Sequence, residues 1–266
     1  MPLHADLHGE PGEPRVVLVH GFTQTRRSWD RLLLGLVEHH QVVAVDAPGH
    51  GRSAGHHNAD LVEGADLVGD IGGEADYIGY SMGGRLVLHL ALKRPDLVRR
   101  VVLVGATAGL DTEAERRDRR DADEALAADL ERDGVDTFLA RWLANPLFAT
   151  LPDEAANIED RRENTVEGLA ASLRNTGTGT QAPLWGRVAE AMMPALFVVG
   201  ERDEKFTALA HRLSSHWGGD ARVAVVPDAG HACHLEQPDA FLDVVLPFLD
   251  DDGGQRTASA AARSNP

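Results

Sequence analysis

Ser81 stands where a serine-dependent reaction could be built. It lies in Gly79-Tyr80-Ser81-Met82-Gly83, a G-x-S-x-G pattern typical of a sharp turn from a strand into a helix. The glycines are needed because side chains flanking the serine would clash in so tight a turn. The pattern alone is weak, and an ordinary glycine-rich turn is the competing interpretation. Its partners decide between the two.

A histidine that could activate Ser81 follows later in the chain. A serine hydroxyl is a weak nucleophile and base until an imidazole accepts its proton. His231, in Asp228-Ala229-Gly230-His231, comes directly after a predicted strand, and His234 is the alternative. We therefore predict His231 as the base that serves Ser81.

The imidazole needs a carboxylate to fix its tautomer and stabilise its cation. Asp203, in Gly200-Glu201-Arg202-Asp203, follows another predicted strand, with Glu201 or Glu204 as the rival carboxylate. The three residues follow three strands, so the sequence predicts a catalytic triad of Ser81, His231 and Asp203.

Two backbone N–H groups are expected to stabilise negative charge that develops on the substrate. One should belong to Met82, directly after the serine. The other should belong to Phe22 in His20-Gly21-Phe22, which follows the first core strand. We predict an oxyanion hole at Phe22 and Met82, and a structural role for the glycine-rich loop of residues 46–53.

The elements that must position these residues alternate between strands and helices, which predicts an α/β fold with a mostly parallel sheet. Buried strands are predicted over residues 16–19, 42–45, 77–78, 101–104, 196–199 and 223–226. Helices are predicted over residues 29–37, 61–71, 86–92, 207–217 and 241–249.

This alternation stops between residues 108 and 191. That segment is charged and alanine-rich, and its large apolar residues recur at helical spacings. We predict an inserted helical cap over 108–191, an α/β core over 1–107 and 192–250, and a disordered tail over 251–266.

The composition limits the function classes. The formal net charge of −16 disfavours nucleic acid and anionic membranes as partners, so an anionic substrate would need a local basic pocket. No apolar run approaches the roughly 20 residues that span a bilayer. One cysteine, Cys233, and an N-terminus without a basic, then apolar, leader predict a cytoplasmic protein. We expect no metal, no cofactor, and a monomer or weak homo-oligomer.

The core motifs, in the chain order serine, aspartate, histidine, together resemble the α/β-hydrolase superfamily. The cap allows a sharper match. The chain resembles the MenH family of 2-succinyl-6-hydroxy-2,4-cyclohexadiene-1-carboxylate synthases over roughly residues 16–248. The strings that carry this resemblance are residues 79–85, 109–110, 115–121, 142 with 146–151, 173–179 and 200–206.

The resemblance implies a lyase of menaquinone biosynthesis with a small polycarboxylate substrate. Family members remove pyruvate from a cyclohexene dicarboxylate that carries a succinyl group. The serine, supported by His231 and Asp203, would abstract a ring proton next to a carbonyl, and no acyl-enzyme would form. A generic serine esterase or a C–C bond hydrolase is the alternative, and a ligand receptor on this fold is a more remote one.

Substrate carboxylates require arginines, because a planar guanidinium grips a carboxylate with two hydrogen bonds. Arg85 lies about one helical turn after Ser81 and could face the pocket. The resemblance also implies Arg119 and Arg161 as carboxylate binders. Arg120 and Arg162 are their rivals, and a solvated helix face is the competing interpretation of residues 116–120.

Three aromatic residues are the last predicted substrate contacts. They are Tyr80, beside the serine, and Trp142 and Phe148 in the cap. Core packing is the competing interpretation of Trp142 and Phe148. The role of Lys205, just after Asp203, stays open between a substrate contact and a surface residue.

Overall fold

The computed structural model describes residues 1–251, and a seven-stranded sheet forms its centre. The strands lie in the order β1-β3-β2-β4-β5-β6-β7, and only β1 runs antiparallel, against β3. Their bounds are β1 Ala5–His8, β2 Arg15–Val19, β3 Gln41–Val45, β4 Ala75–Tyr80, β5 Val98–Val104, β6 Ala195–Gly200 and β7 Ala221–Val226. The six predicted strands are confirmed as β2 to β7.

Strand β1 was not predicted from the sequence. Its four residues, Ala-Asp-Leu-His, are half-buried or exposed and carry no β-branched side chain. It pairs with β3 through the register Leu7 to Val43 at the edge of the sheet. An edge strand that is partly exposed to solvent needs no apolar run, so its sequence lacks the pattern by which buried strands are predicted.

Helices cover the sheet and form the segment between β5 and β6. They are α1 Asp30–Leu36, α2 Leu61–Gly72, α3 Met82–Lys93, α4 Glu113–Leu143, α5 Ile158–Arg161, α6 Val166–Thr176, α7 Glu204–His216, α8 Cys233–Glu236 and α9 Pro238–Leu249. Helix α3 begins at Met82, four residues before the predicted start, because it continues straight from the turn at Ser81.

The central parallel strands are buried on both faces, whereas β7 at the edge is partly exposed. Residues of β4 are all buried, and Tyr77 lies between Val17 of β2 and Val101 of β5. Two apolar clusters, one on each side of the sheet, form the core. Since parallel strands end at the same edge, the loops that follow β2, β4, β6 and β7 come together there.

No strand lies between Val104 and Ala195, which supports our proposal of an inserted cap over residues 108–191. A third apolar cluster joins α4 to α6 through Leu130, Leu169 and Leu173. Leu184 and Val188, near the end of the proposed cap, pack instead against the core.

Helix α4 starts with a capping box between Thr112 and Glu115, and it bends where Gly134 leaves helical geometry. Although α4 is the longest helix of residues 1–251, its sequence is strongly charged. No helix in that range is long and apolar enough to cross a membrane. The predicted disordered tail lies outside the described residues, apart from Asp251.

Candidate active site

Ser81 occupies a strained turn at the end of β4. Its φ of 50° and ψ of −105° lie in a region that side-chain-bearing residues rarely adopt. A Cβ at Gly79 would lie 2.5 Å from the Gly83 carbonyl oxygen, and one at Gly83 would lie 2.1 Å from that of Val19. Both glycines are therefore required by close backbone approach, and the turn lifts the hydroxyl of Ser81 above the sheet edge.

A chain of hydrogen bonds connects Ser81, His231 and Asp203. His231 Nε2 lies 3.2 Å from Ser81 Oγ, and His231 Nδ1 lies 2.7 Å from Asp203 Oδ2. The imidazole and the carboxylate are buried, at 3% and 8% exposure. With Nδ1 donating to the carboxylate, Nε2 is free to accept the serine proton.

The rival residues lie elsewhere. Both ring nitrogens of His234 lack a hydrogen-bond partner among the described residues, and its ring packs against Tyr80 and Trp29. Burial lowers the pKa of His234 to about 3, which keeps it neutral. Glu201 accepts a hydrogen bond from the backbone of Asp228 and has no bond to His231.

Phe22 and Met82 both border the same cavity as Ser81. Met82 is the first residue of α3, so its N–H has no partner within the helix. The loop that carries Phe22 is held by Gln24, whose side-chain oxygen accepts from the Gly21 N–H at 2.9 Å. These positions are compatible with a pair of oxyanion donors above the serine.

A cavity lies between the sheet edge and the helices that connect β5 to β6. Apart from Asp203, which lies behind the imidazole, every predicted site residue borders it. Those residues are Phe22, Tyr80, Ser81, Met82, Arg85, Arg119, Trp142, Phe148, Arg161 and His231.

Arg85 and Arg161 are the buried cations of this cavity, at 7% and 2% exposure. Arg85 donates to the Thr176 carbonyl oxygen at 2.6 Å, and Arg161 donates to the Ala156 carbonyl oxygen and the Thr23 hydroxyl. Neither forms an ion pair with a carboxylate in residues 1–251. Burial lowers the pKa of each to about 10, so both stay charged at neutral pH.

Arg119 reaches the cavity from α4, where it pairs with the buried carboxylate of Asp123 at 2.8 Å. Burial raises the pKa of Asp123, and the charges of Arg119 and Arg85 oppose that rise. Arg120, the rival of Arg119, instead donates to the Gly179 carbonyl oxygen and pairs with Glu113 outside the cavity.

Arg162, the rival of Arg161, is exposed and pairs with Asp136 and Glu159. One residue along a helix turns a side chain by about 100°, which separates the buried guanidinium of Arg161 from the exposed one of Arg162. Asn164 holds the segment in place, because its side-chain amide donates to the carbonyl oxygens of Thr23 and Arg161.

The aromatic residues form the apolar wall. Trp142 packs edge-on against Phe22, with ring centroids 5.1 Å apart, and lies 5.8 Å from Phe148. Tyr80 lies 5.3 Å from His231, and burial raises the pKa of its phenol well above the ordinary value. Tyr80 therefore keeps its proton and can donate a hydrogen bond.

Some cavity residues received no predicted role. Gln24, Ser172, Leu173 and Thr176 also line the wall. Leu173 and Thr176 lie in residues 173–179, which carried part of the family resemblance, so the sequence did point to this segment. Gln24 and Ser172 lay in no motif that the sequence analysis used. Asp123 was missed because a buried carboxylate cannot be distinguished by sequence from its exposed neighbours. No cluster of metal-ligating side chains occurs in the described part of the chain.

Comparisons with known proteins agree with this geometry. A family model described as the alpha/beta hydrolase family matches residues 16–244. A putative 2-succinyl-6-hydroxy-2,4-cyclohexadiene-1-carboxylate synthase of Bacillus subtilis is 37% identical over 254 residues, which cover 91% of this chain and 92% of that protein. The synthase of Citrobacter koseri is 31% identical over 248 residues, covering 91% and 96%.

Solved structures are also similar. The structure of MenH from S. aureus superimposes with a TM-score of 0.86 and 28% identity, and the match covers 92% of this chain and 97% of that one. An enol-lactonase from Burkholderia xenovorans gives a TM-score of 0.77 at 24% identity, covering 93% and 96%. At that identity the second likeness shows the fold alone.

Proposed function

The chain belongs to the alpha/beta hydrolase family, and we propose that it is a 2-succinyl-6-hydroxy-2,4-cyclohexadiene-1-carboxylate synthase. This enzyme is a carbon–oxygen lyase of menaquinone biosynthesis. It eliminates pyruvate from a succinyl-bearing cyclohexene dicarboxylate and leaves a cyclohexadiene. Relatives that bear this name match over nine-tenths of the chain, cap included.

The observation that carries the proposal is the pair of buried guanidinium groups. Arg85 and Arg161 border the cavity of Ser81, and neither forms a direct ion pair with a carboxylate of residues 1–251; Asp123 acts on Arg85 only at longer range. A buried charge without a counter-charge is costly, by several kcal/mol per ion. The protein as a whole is strongly acidic, so these cations are a local exception. An anionic substrate explains them, whereas an ester with an apolar body does not.

In the proposed reaction Ser81 acts as a base. His231 Nε2 takes the proton of Ser81 Oγ, and the carboxylate of Asp203 stabilises the resulting imidazolium. The serine oxygen then removes the ring proton next to a carbonyl. The electron pair of that C–H bond enters the ring π system and the C–O bond to the leaving group breaks. The enolate of pyruvate departs and takes a proton from the His231 imidazolium, which restores the neutral imidazole and leaves pyruvate.

The developing negative charge on the substrate carbonyl needs donors that are already in place. We assign this role to the N–H groups of Phe22 and Met82. Arg85, Arg119 and Arg161 bind the carboxylates and orient the ring proton toward Ser81. Tyr80, Trp142 and Phe148 pack against the ring. None of these steps needs a cofactor.

The cellular location and the oligomeric state of the enzyme are also proposals. We propose a cytoplasmic location, which is supported by a single buried cysteine, Cys233, that cannot form an intrachain disulfide. A monomer or weak homo-oligomer remains our prediction for the assembly, and sedimentation velocity would measure it.

The test couples the protein to the synthase that makes its substrate, and follows diene absorbance together with pyruvate release. Wild type should produce both, and Ser81→Ala should lose roughly a hundredfold or more because the base is gone. Arg85→Ala and Arg161→Ala should each lose roughly a hundredfold, or about 3 kcal/mol, because each leaves a substrate carboxylate unpaired.

Arg162→Ala is the matched control, since it removes an exposed guanidinium one residue from Arg161 and should leave kcat/KM unchanged. Melting temperatures verify that each variant is folded. A wild-type protein that forms no diene, yet shows an acyl-enzyme burst with a p-nitrophenyl ester, would replace the proposal by a serine esterase.

A further inference from the structure

Lys205 occupies an unfavourable position for a cation. It is the second residue of α7, and Asp203 caps that helix by accepting a hydrogen bond from the Phe206 N–H. Helix N-termini carry partial positive charge, so a lysine in the first turn is repelled rather than stabilised. The helix dipole therefore does not favour a positive charge at this position, and an anionic ligand would.

The ammonium of Lys205 also lacks a protein counter-ion. Its Nζ lies 5.5 Å from the ring centroid of Phe206, and no carboxylate of residues 1–251 pairs with it. The sequence has only one other lysine, Lys93, whose Nζ pairs with Asp66 at 2.6 Å on the surface.

Lys205 borders the same cavity as Ser81 and His231. Its side chain is exposed, which places it at the cavity mouth. The ring of Phe206 lies 4.4 Å from that of His231, so a single aromatic residue connects the lysine to the imidazole. The three arginines reach the same cavity from α3, α4 and α5.

We propose that Lys205 is a fourth cationic group of the site and binds a carboxylate of the substrate at the cavity mouth. This inference rests on the proposed function, from which the polycarboxylate substrate is taken. The exposed ammonium on a flexible stem holds an anion as a point charge, in contrast to the fixed forks of the buried arginines. Such a contact is made equally in the ground state and the transition state, so it sets KM rather than kcat.

Steady-state kinetics of Lys205→Gln test the inference. We expect KM to rise roughly tenfold while kcat stays within about twofold of wild type, and Lys205→Arg to restore most of the loss because it restores the charge. Lys93→Gln is the matched control, since it removes the other lysine, and should have the wild-type KM. A Lys205→Gln variant that is folded and keeps the wild-type KM overturns the inference.

A binding measurement separates this inference from the proposed lyase activity. Calorimetry with succinate, and with succinamide as its uncharged analogue, reports the anion site without turnover. We expect wild type to bind succinate several-fold more tightly than Lys205→Gln does, and both to bind succinamide equally weakly. That difference in a protein without lyase activity would support the anion site and reject the proposed function. If wild type has lyase activity but wild type and Lys205→Gln bind succinate equally tightly, the proposed function is supported and the anion site at Lys205 is rejected.

Discussion

At the scale of single residues, Asp203 combines two tasks that act through different oxygen atoms. Oδ2 accepts from His231 Nδ1 at 2.7 Å, and Oδ1 accepts from the Phe206 N–H at 3.2 Å. The first contact sets the tautomer of the proposed base, and the second starts α7. Because Lys205 lies in that first turn, one aspartate positions both the imidazole and the proposed mouth cation.

Replacing Asp203 by Asn should separate these tasks. An amide keeps an oxygen for the Phe206 N–H, so the melting temperature should change by no more than a few degrees. The amide cannot stabilise an imidazolium, so kcat should fall by about 10³–10⁴-fold, as judged by pyruvate release.

Asp228→Asn is the control for this experiment, because Asp228 is an exposed carboxylate that pairs with Arg202 next to the same loops. It should retain full activity. If Asp203→Asn kept more than a tenth of the wild-type kcat, the carboxylate would have no part in the proton transfer.

At the scale of elements, the break in α4 directs the second half of this helix toward the cavity. Gly134 has φ 80° and ψ 171°, a conformation that is essentially restricted to glycine. Before it, Leu130 packs in the cap cluster, and after it Phe138 and Trp142 meet Phe22. A straight helix would carry Phe138 away from Phe22, and Trp142 away from the cavity wall.

Gly134→Ala should therefore destabilise the protein by about 1–3 kcal/mol in urea unfolding and raise KM. The space around a Cβ at this position is open, so the effect comes from the backbone and not from a clash.

Gly12→Ala is the control for backbone strain, since Gly12 has φ 99°, open space around a Cβ, and a position between β1 and β2 far along the chain from the cap. It should lose stability without a change in KM. If Gly134→Ala and Gly12→Ala had the same KM, the break in α4 at Gly134 would have no effect on the substrate site.

At the scale of the whole molecule, several buried histidines connect folding to pH. Burial is the main cause that lowers the pKa of His20 and His89 to about 4, and of His50 and His234 to about 3. The unfolded chain, with ordinary histidines near 6.5, binds more protons than the folded chain below that pH. The stability that these four neutral histidines contribute is therefore complete above about pH 6.5 and is lost as the pH falls from there toward 3–4.

His234→Phe should reduce this acid sensitivity. The aromatic surroundings of Trp29, Tyr80 and Phe241 accept a phenyl ring. Removing one buried titratable group should lower the slope of unfolding free energy against pH by about 1.4 kcal/mol per pH unit between pH 6 and 4.

Urea unfolding at a series of pH values measures that slope. The exposed His39, replaced by Gln, should leave the slope at its wild-type value. An unchanged slope in His234→Phe would show that this histidine is not held neutral by the fold.

Local sequence patterns were sufficient to predict the α/β class, the six parallel strands and the three residues that meet at their ends. These rest on local patterns, because apolar runs form strands and parallel strands deliver the residues after them to one edge. The turn glycines around Ser81 and the glycine before His231 are readable for the same reason. The edge strand β1 was not predicted, because it is short and half-exposed and therefore has no apolar run.

Which charged side chains face the cavity depends on how distant segments of the chain pack together. Arg161 and Arg162 are adjacent and chemically identical, and they differ only in how α5 packs against Thr23. That Arg119 and Lys205 border one cavity likewise depends on the helices between β5 and β6 lying over the sheet edge. A single sequence contains no periodic signal for such contacts, since their free energy arises between segments that are far apart along the chain.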